Sequence, residues 1–208
     1  SMAFGVPHRH SVHDFWVIVR DLHAFHAANA DFYRTRLNVV SSVEDQIAAN
    51  RIAPNFYALE ENGLRMKLAV LSEHDFARLC KAKMMFVKGR MQKPLRAIRI
   101  TAAVQHGIDA ARIEGASHAV NLCPERFTFE QFLYQLCSLS YRAEIRPERK
   151  RAKIQSIIDK GRTELGRIYR PLLARMPHIH ANGNGYRDVR SADQKRLART
   201  RTMGYLRR

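Results

Sequence analysis

The sequence lacks several features that would place it in a familiar class of protein. Its 208 residues include only three cysteines and no Cys-x-x-Cys pair, which argues against a disulfide framework and a structural zinc site. No apolar run approaches the roughly 20 residues that cross a bilayer, so we expect no transmembrane helix. The N-terminal residues are polar and rich in histidine, unlike a signal peptide. These absences predict a protein of a reducing, cytoplasmic compartment.

Common catalytic motifs are also missing. The sequence has no P-loop, no Gly-x-Gly-x-x-Gly loop, no Gly-x-Ser-x-Gly elbow and no His-Glu-x-x-His pair, so these four chemistries have no support. Histidines are frequent near the N-terminus, but their spacing matches no standard metal pattern, and ordinary surface histidines are the better interpretation. They are His8, His10, His13, His23 and His26.

Acidic residues are few in comparison with basic ones. Nineteen Asp and Glu stand against 36 Lys and Arg, which gives a net charge of +17. Residues 142–208 alone carry 19 basic and six acidic residues, a net charge of +13. Such an excess indicates an anionic partner, which is a nucleic acid, a lipid headgroup or a polyphosphate ligand.

Hydrophobic patterning predicts strands in the first hundred residues and helices in the rest. We expect a buried strand at 15–19, a helix over 22–39, a hairpin over 55–71, a helix capped by Ser72 and a short strand at 84–87. Three helices follow, at about 98–121, 128–139 and 147–174. This segregation predicts an α+β fold rather than a doubly wound sheet. The expected domains are 1–100, a helical domain at 101–180 and a basic tail at 181–208.

Two groups of residues are candidates for chemistry. Asp14 stands at the edge of the first strand, where a carboxylate can hold a divalent cation, although a turn or helix cap is the plainer explanation. Lys88, Arg90 and Lys93 surround Gly89 in a predicted turn that is suited to phosphate oxygens, or else simply solvated. Lys67 is expected on the exposed face of the hairpin, beside this turn.

Several segments resemble one family. They are His13-Asp14-Phe15-Trp16-Val17-Ile18-Val19, Phe25-His26-x-x-Asn29, Asn50 and Tyr57 ahead of the strand with Lys67, and Gly89-Arg90-Met91-Gln92-Lys93-Pro94. The chain thereby resembles the mitochondrial-type phosphatidate cytidylyltransferases, the translocator assembly and maintenance family, over most of residues 13–180. The segments at 25–29 and 89–94 are the specific ones.

The resemblance implies a nucleotidyltransferase-like domain followed by a winged-helix-like domain. It implies synthesis of CDP-diacylglycerol and pyrophosphate from CTP and phosphatidic acid, with Mg²⁺ as cofactor. Asp14 would be a catalytic metal ligand and Lys67 a further catalytic residue. The substrate-binding positions implied by the resemblance are Gly5, His26, Asn29, Tyr57, Arg90, Gln92 and Lys93.

The chain departs from the family near its start. Family members carry a Gly-Ser-Gly-like loop well before the aspartate, whereas this chain has Phe4-Gly5-Val6-Pro7 and no Gly-Ser pair. Either Gly5, with His8 and Arg9, replaces that loop, or the chain is a shortened or degenerate member.

The sequence is therefore compatible with three functions. The first is the enzyme, working peripherally on the inner face of an anionic membrane, to which the basic tail would bind. The second is a nucleic-acid-binding protein that uses the helical domain and the arginine-rich tail. The third is an inactive family member that binds nucleotide or lipid.

Overall fold

The chain divides into two units, and each of them contains strands and helices. The computed structural model describes residues 12–36, 42–51, 53–61, 63–82, 85–142 and 150–206. The first unit comprises residues 1–78 and 101–104, and the second comprises residues 79–100 and 105–208. Both α and β structure are present, as the α+β prediction requires.

A mixed three-stranded sheet forms the centre of the first unit. Its strands are β1 (Val12–Val19), β2 (Asn55–Glu61) and β3 (Leu64–Ser72), in the order β1-β3-β2. β1 runs parallel to β3, while β2 and β3 pair antiparallel as the first and second arms of a hairpin. Gly63 has a φ of +72°, the left-handed conformation that glycine adopts without a steric penalty. The first strand and the hairpin predicted from the sequence are thus confirmed.

Helices α1 (Leu22–Ala28), α2 (Ala30–Arg36), α3 (Val43–Asn50) and α4 (Glu73–Lys81) accompany this sheet. Two helices replace the single one predicted after β1, because Asn29 leaves the helical conformation at φ −107° and ψ 4°. The predicted cap at Ser72 is confirmed, since its hydroxyl accepts a hydrogen bond of 3.0 Å from the backbone amide of Asp75. The sequence interpretation missed α3.

One face of the sheet packs against helices α1, α2 and α3, whereas Phe76 of α4 lies edge-on to Trp16 on the other face. Tyr57 and Val70 on the sheet are buried with Leu22 and Tyr33 from the helices. The hydrophobic face follows from the alternation along β3, where successive side chains point to opposite sides. The other face carries Lys67 and Arg65, as the alternation predicted.

The second unit is built mainly from helices. Its elements are α5 (Met85–Met91), α6 (Ala102–Leu122), β4 (Arg126–Thr128), α7 (Phe129–Arg142), α8 (Lys150–Ala174), β5 (Ile179–Asn182), β6 (Gly185–Asp188) and α9 (Ala192–Leu206). α6 starts in the first unit at residues 102–104. The three strands form an antiparallel sheet in the order β4-β6-β5. The described parts of the three predicted helices are confirmed by α6, α7 and α8.

The predicted strand at 84–87 is wrong. Residues 85–91 form the helix α5, with Val87 and Met91 buried. A short apolar run fits a buried strand and a buried helix equally well, and packing on a neighbour decides between them. Here a Cβ at Gly89 would lie 2.7 Å from Cα of Ser140, so glycine allows α5 to approach α7 closely.

The segment expected to be a basic tail belongs to the folded second unit. Residues 179–188 form the β5–β6 hairpin, and α9 follows it. Thr202 and Leu206 on α9 are buried, and Leu206 is part of the main hydrophobic core. Most large apolar residues of α9 therefore pack against other parts of this unit. The strong positive charge of this segment led the sequence interpretation to a solvent-exposed tail instead.

None of the helices in the described ranges combines the length and the hydrophobicity needed to cross a membrane.

Candidate functional site

Asp14 and Lys67 lie side by side on the sheet of the first unit. They are paired residues of the parallel strands β1 and β3, so their side chains leave the sheet on the same face. Asp14 is exposed, so its carboxylate is accessible to a cation or to a substrate. The Nζ atom of Lys67 lies 4.6 Å from the centre of the Phe56 ring, a cation–π contact that holds the ammonium near the sheet.

The same sheet face also carries an ion pair. Nε of Arg65 lies 2.9 Å from Oε2 of Glu60, and both side chains are more than half exposed. Exposed pairs of this kind contribute at most about 1 kcal/mol to stability. The face thus presents two carboxylates and two cations within one small area, of which Glu60 and Arg65 neutralise each other.

His26 and Tyr57 lie on the opposite side of the sheet, in a buried aromatic cluster. The ring of Tyr57 stacks on that of Tyr33, with 4.6 Å between the centroids, and His26 lies 5.8 Å from Tyr33. The hydroxyl of Tyr57 donates a hydrogen bond of 2.5 Å to Oε1 of Gln46. Burial raises the pKa of Tyr57 and lowers that of His26. Both side chains thus contribute to the core that supports the sheet.

Asn29 ends helix α1. Its side-chain amide donates a hydrogen bond of 2.7 Å to the carbonyl oxygen of Phe25, and its backbone amide bonds to the last turn of α1. The Phe-His-x-x-Asn segment of the family is therefore one short helix whose histidine packs under the sheet and whose asparagine caps the end.

The lowered pKa of His26 makes the first unit less stable in acid. The unfolded histidine takes up a proton as the pH falls through about 6.5, whereas the buried one resists protonation, so stability falls with falling pH. We expect His26→Phe to weaken this dependence between about pH 7.5 and about pH 5.5. Urea unfolding followed by fluorescence of Trp16, the only tryptophan and a residue of the first unit, measures it.

His23→Phe is the matched control, because His23 is exposed on the same helix. The control should keep the full pH dependence of the unaltered chain. If His26→Phe keeps it as well, burial of His26 has no part in the acid sensitivity.

Lys88 is buried in the second unit and paired with a carboxylate. Its side chain is 0% exposed, and its Nζ atom lies 2.5 Å from Oε1 of Glu114 on α6. Nε2 of His118 lies 3.6 Å from the same oxygen, and burial lowers the pKa of that histidine. Lys88 is one of the three cations expected in the basic turn, and Glu114 neutralises it inside the second unit.

Gln92 is also fully buried, and its amide is engaged within the fold. Nε2 donates hydrogen bonds to the carbonyl oxygens of Lys88 at 2.7 Å and Ala111 at 2.8 Å, and Oε1 accepts one of 2.9 Å from the hydroxyl of Tyr169. A Cβ at Gly115 would lie 2.3 Å from Cδ of Gln92, so the glycine makes room for it. This differs from the substrate contact expected for Gln92, because its amide has both hydrogens donated to the protein.

Arg90 and Lys93 remain near the surface at the C-terminal end of α5. Both are half-buried. Nζ of Lys93 lies 4.5 Å from the centre of the Tyr141 ring and 3.3 Å from the Tyr141 hydroxyl oxygen. The packing of its stem fixes where this ammonium stands, which suits a side chain that orients a phosphate.

The predicted site residues are distributed over both units. Asp14, His26, Asn29, Tyr57 and Lys67 belong to the first unit, and Arg90, Gln92 and Lys93 belong to the second. Gly5, with His8 and Arg9, lies outside the described residues.

Sequence interpretation missed a cleft of about 750 Å³ in the first unit. It lies where the parallel strands β1 and β3 end, which is the edge at which ligands commonly bind in such sheets. Three arginines line it together with two aspartates, so its charge is nearly balanced. The signal in the sequence is that Arg20-Asp21 and Ser72 directly follow the two strands. The lining residues are Arg20, Asp21, Leu22, Ile47, Arg51, Ser72, His74, Asp75 and Arg78.

Comparison with known proteins gives a family match. Residues 6–205, nearly the whole chain, match the family described as mitochondrial phosphatidate cytidylyltransferase. No curated protein matches the chain. The family match agrees with the resemblance of the segments around Asp14, His26 and Arg90, and it covers both units. The chain therefore belongs to the phosphatidate cytidylyltransferase family, the CDP-diacylglycerol synthases of the mitochondrial type.

Proposed function

We propose that this chain transfers CMP from CTP to phosphatidic acid at a membrane surface, with Asp14 and Lys67 at the reacting phosphates. The observation that carries the proposal is the pairing of these two residues on one face of the sheet, where Asp14 is exposed and Lys67 is half-buried, within a chain of this family. A phosphate oxygen of phosphatidic acid attacks the α-phosphorus of CTP. The bond from that phosphorus to the bridging oxygen breaks, and pyrophosphate leaves.

The donors available near Asp14 fit Mg²⁺. In the part of the chain that the structure describes, no three His, Cys, Asp or Glu side chains gather into a metal cage. Mg²⁺ commonly binds through one or two carboxylates and takes its other ligands from water and substrate phosphates, so one exposed aspartate is sufficient. When bound, the ion would offset the negative charge of the triphosphate. Asp14 is the residue that would hold it.

Lys67 has a complementary task in this proposal. Its ammonium is a point charge next to Asp14 in the strand register, where it can contact a phosphate oxygen whose charge increases during the transfer. The contact with Phe56 keeps the side chain from extending fully into water. Glu60 pairs with Arg65 and so does not compete for this ammonium.

The arrangement of each unit supports the domain types that the family resemblance implies. The mixed sheet of the first unit is compatible with a nucleotidyltransferase-like domain. The order α6, β4, α7, α8, β5, β6 in the second unit, with three helices and a small sheet that ends in a hairpin, is compatible with a winged-helix-like domain. We therefore propose one domain of each type.

Arg90 and Lys93 are proposed to bind phosphates of the substrates, and Gln92 to position them. The amide of Gln92 ties the carbonyl of Lys88 in α5 to Ala111 in α6. That link fixes the last turn of α5, which carries Arg90, and the residue after Gln92 is Lys93. Gln92 thus acts through its neighbours rather than through substrate.

The reaction is tested by pyrophosphate release from CTP in the presence of dispersed phosphatidic acid and Mg²⁺. We expect release to require all three components. A chain that binds DNA or RNA tightly at low salt, and that releases no pyrophosphate, would instead be a nucleic-acid-binding protein.

A separate expectation concerns Arg90. If its guanidinium binds the triphosphate, Arg90→Ala should weaken CTP binding by about 2–4 kcal/mol, the range for removing one partner of a buried charge pair. Calorimetric titration with CTP measures the change. Arg96→Ala is the control, because Arg96 is an exposed arginine six residues further on. A loss within about 0.5 kcal/mol for Arg90→Ala would mean that this arginine does not touch the nucleotide.

A further inference from the structure

The segment between α5 and α6 has an unusual surface composition. Residues 96–100 lie outside helices and strands, and all five are exposed. Ile98 is 82% exposed and Ile100 is 39% exposed. Single exposed apolar residues are common on proteins, but two large ones within three positions, next to Arg96 and Arg99, form a small apolar and basic patch. We refer to residues 96–100 as the Arg-Ile segment.

The stretch of sequence that contains the Arg-Ile segment has charge of one sign, although the carboxylate of Glu73 accepts a hydrogen bond of 2.5 Å from the hydroxyl of Thr101, the residue after the segment. Residues 76–108 contain no aspartate or glutamate, although they include eight lysines and arginines. Among these eight, Lys88 is paired with the carboxylate of Glu114 and Arg78 with that of Asp75. Clusters of four to eight basic residues are typical of proteins that bind anionic lipid surfaces. An excess of basic charge, combined with apolar side chains in water, suits an anionic bilayer better than the surface of an average protein.

The Arg-Ile segment lies close in the chain to a residue proposed to bind substrate phosphate. Arg96 is three residues after Lys93, a separation of at most about 10 Å along an extended chain. Lys93 is one of the residues proposed to bind phosphate. Ile98, five residues after Lys93, is at most about 18 Å away, so a lipid whose headgroup reached Lys93 would extend its acyl chains in the neighbourhood of the segment.

Helix α9 is a poorer candidate for this contact. Of its apolar residues, Leu206 is buried in the core, Met203 packs against that core and Tyr205 lies edge-on to His118. Leu197 is exposed at 53%. α9 can offer charge to a membrane, but its described apolar residues are mostly committed to packing.

We infer that the Arg-Ile segment is the surface through which this protein contacts an anionic bilayer containing phosphatidic acid. Ile98 and Ile100 enter the region between headgroups and acyl chains, while Arg96 and Arg99 bind headgroup phosphates with their stems along the apolar boundary. The inference rests on the proposed function, because that function supplies the lipid substrate.

Vesicle sedimentation tests this inference without using turnover. The probes are phosphatidylcholine vesicles with and without phosphatidic acid. We expect the full chain to bind only the mixed vesicles, and Ile98→Asp to weaken binding about tenfold because an apolar contact is lost. Arg96→Gln and Arg99→Gln should each weaken it about fivefold, and the effect should shrink at high salt. These positions are exposed, so the variants should fold, and circular dichroism checks this.

Two controls make the result specific. Ile113→Asp introduces the same charge at an isoleucine that is 55% exposed on α6, and it should bind vesicles like the unaltered chain. The double variant Arg196→Gln/Arg201→Gln removes two exposed arginines of α9. The inference is overturned if the chain does not bind phosphatidic acid vesicles, if Ile98→Asp binds them normally, or if only the α9 variant loses binding.

Turnover on detergent-dispersed phosphatidic acid separates this inference from the proposed function. All the variants named here should retain it, while Ile98→Asp loses turnover on vesicles. If the unaltered chain binds vesicles through the Arg-Ile segment but never releases pyrophosphate, the proposed reaction fails and the contact surface stands.

Discussion

Asp14→Asn is expected to reduce turnover at least about a thousandfold while the protein remains folded. The substitution keeps the volume of the side chain and removes only its charge. Asp14 is exposed at the edge of β1, so no buried partner is left unpaired by the change. The loss should therefore appear in pyrophosphate release and not in stability.

Glu60→Gln is the matched control for this experiment. Glu60 stands on the same face of the same sheet, and it undergoes the same change from carboxylate to amide. We expect nearly normal turnover, because its partner Arg65 is exposed to water. Fluorescence of Trp16, two residues beyond Asp14 in β1, reports whether the strand is intact. Normal turnover in Asp14→Asn would remove metal binding from this residue.

Removal of α9 is expected to unfold the second unit. The helix places Leu206 in the main core, and loss of a buried leucine side chain alone costs about 2–5 kcal/mol. The hydroxyl of Thr202 is hydrogen-bonded to Nδ1 of His118 at 3.0 Å and accepts a bond of 3.1 Å from Asn121. Without Thr202, the side chains of His118 and Asn121 lose a hydrogen-bond partner, which costs about 1–3 kcal/mol of stability. Together these losses come to about 3–8 kcal/mol, which is a large part of the stability of an ordinary domain, about 5–15 kcal/mol.

Point variants measure the contribution of each of these contacts to stability. Leu206→Ala should lower the free energy of unfolding by about 2–5 kcal/mol, and Thr202→Val by about 1–3 kcal/mol. Leu197→Ala, at an exposed position of the same helix, should change it by less than about 0.5 kcal/mol. Urea unfolding followed by circular dichroism measures all three, since this unit is mainly helical. A stable, folded chain without residues 192–208 would show that α9 is dispensable for the core.

The sequence was most informative where a pattern is local. Alternation along Leu64–Leu71 predicted the hairpin and the outward position of Lys67, and the Ser72 cap followed from its spacing to Asp75. The parallel pairing that sets Asp14 beside Lys67 joins strands 45 or more residues apart, and no local pattern encodes it. The family resemblance pointed to both residues without giving their pairing.

Burial of polar residues was the least predictable feature. Lys88 and Gln92 read as members of an exposed basic turn, because their partners Glu114, Ala111 and Tyr169 come from distant helices. Their interactions depend on how α5 packs, and the apolar run before Lys88 did not distinguish a strand from a helix. The same reason explains α9, whose charge is visible in the sequence while its contacts with the core are not.

The Lys88–Glu114 pair also restricts the order in which this sequence can change during evolution. The side chain of Glu114 is 39% exposed, so it can turn to water if Lys88 is replaced by methionine. The reverse order would leave an ammonium group in a site with 0% exposure, and an unpaired buried charge costs about 3–5 kcal/mol. A lineage that loses this pair should therefore lose the lysine first and the glutamate second. The two positions are not independent, and a substitution at 114 that is harmless in one relative would be damaging in another.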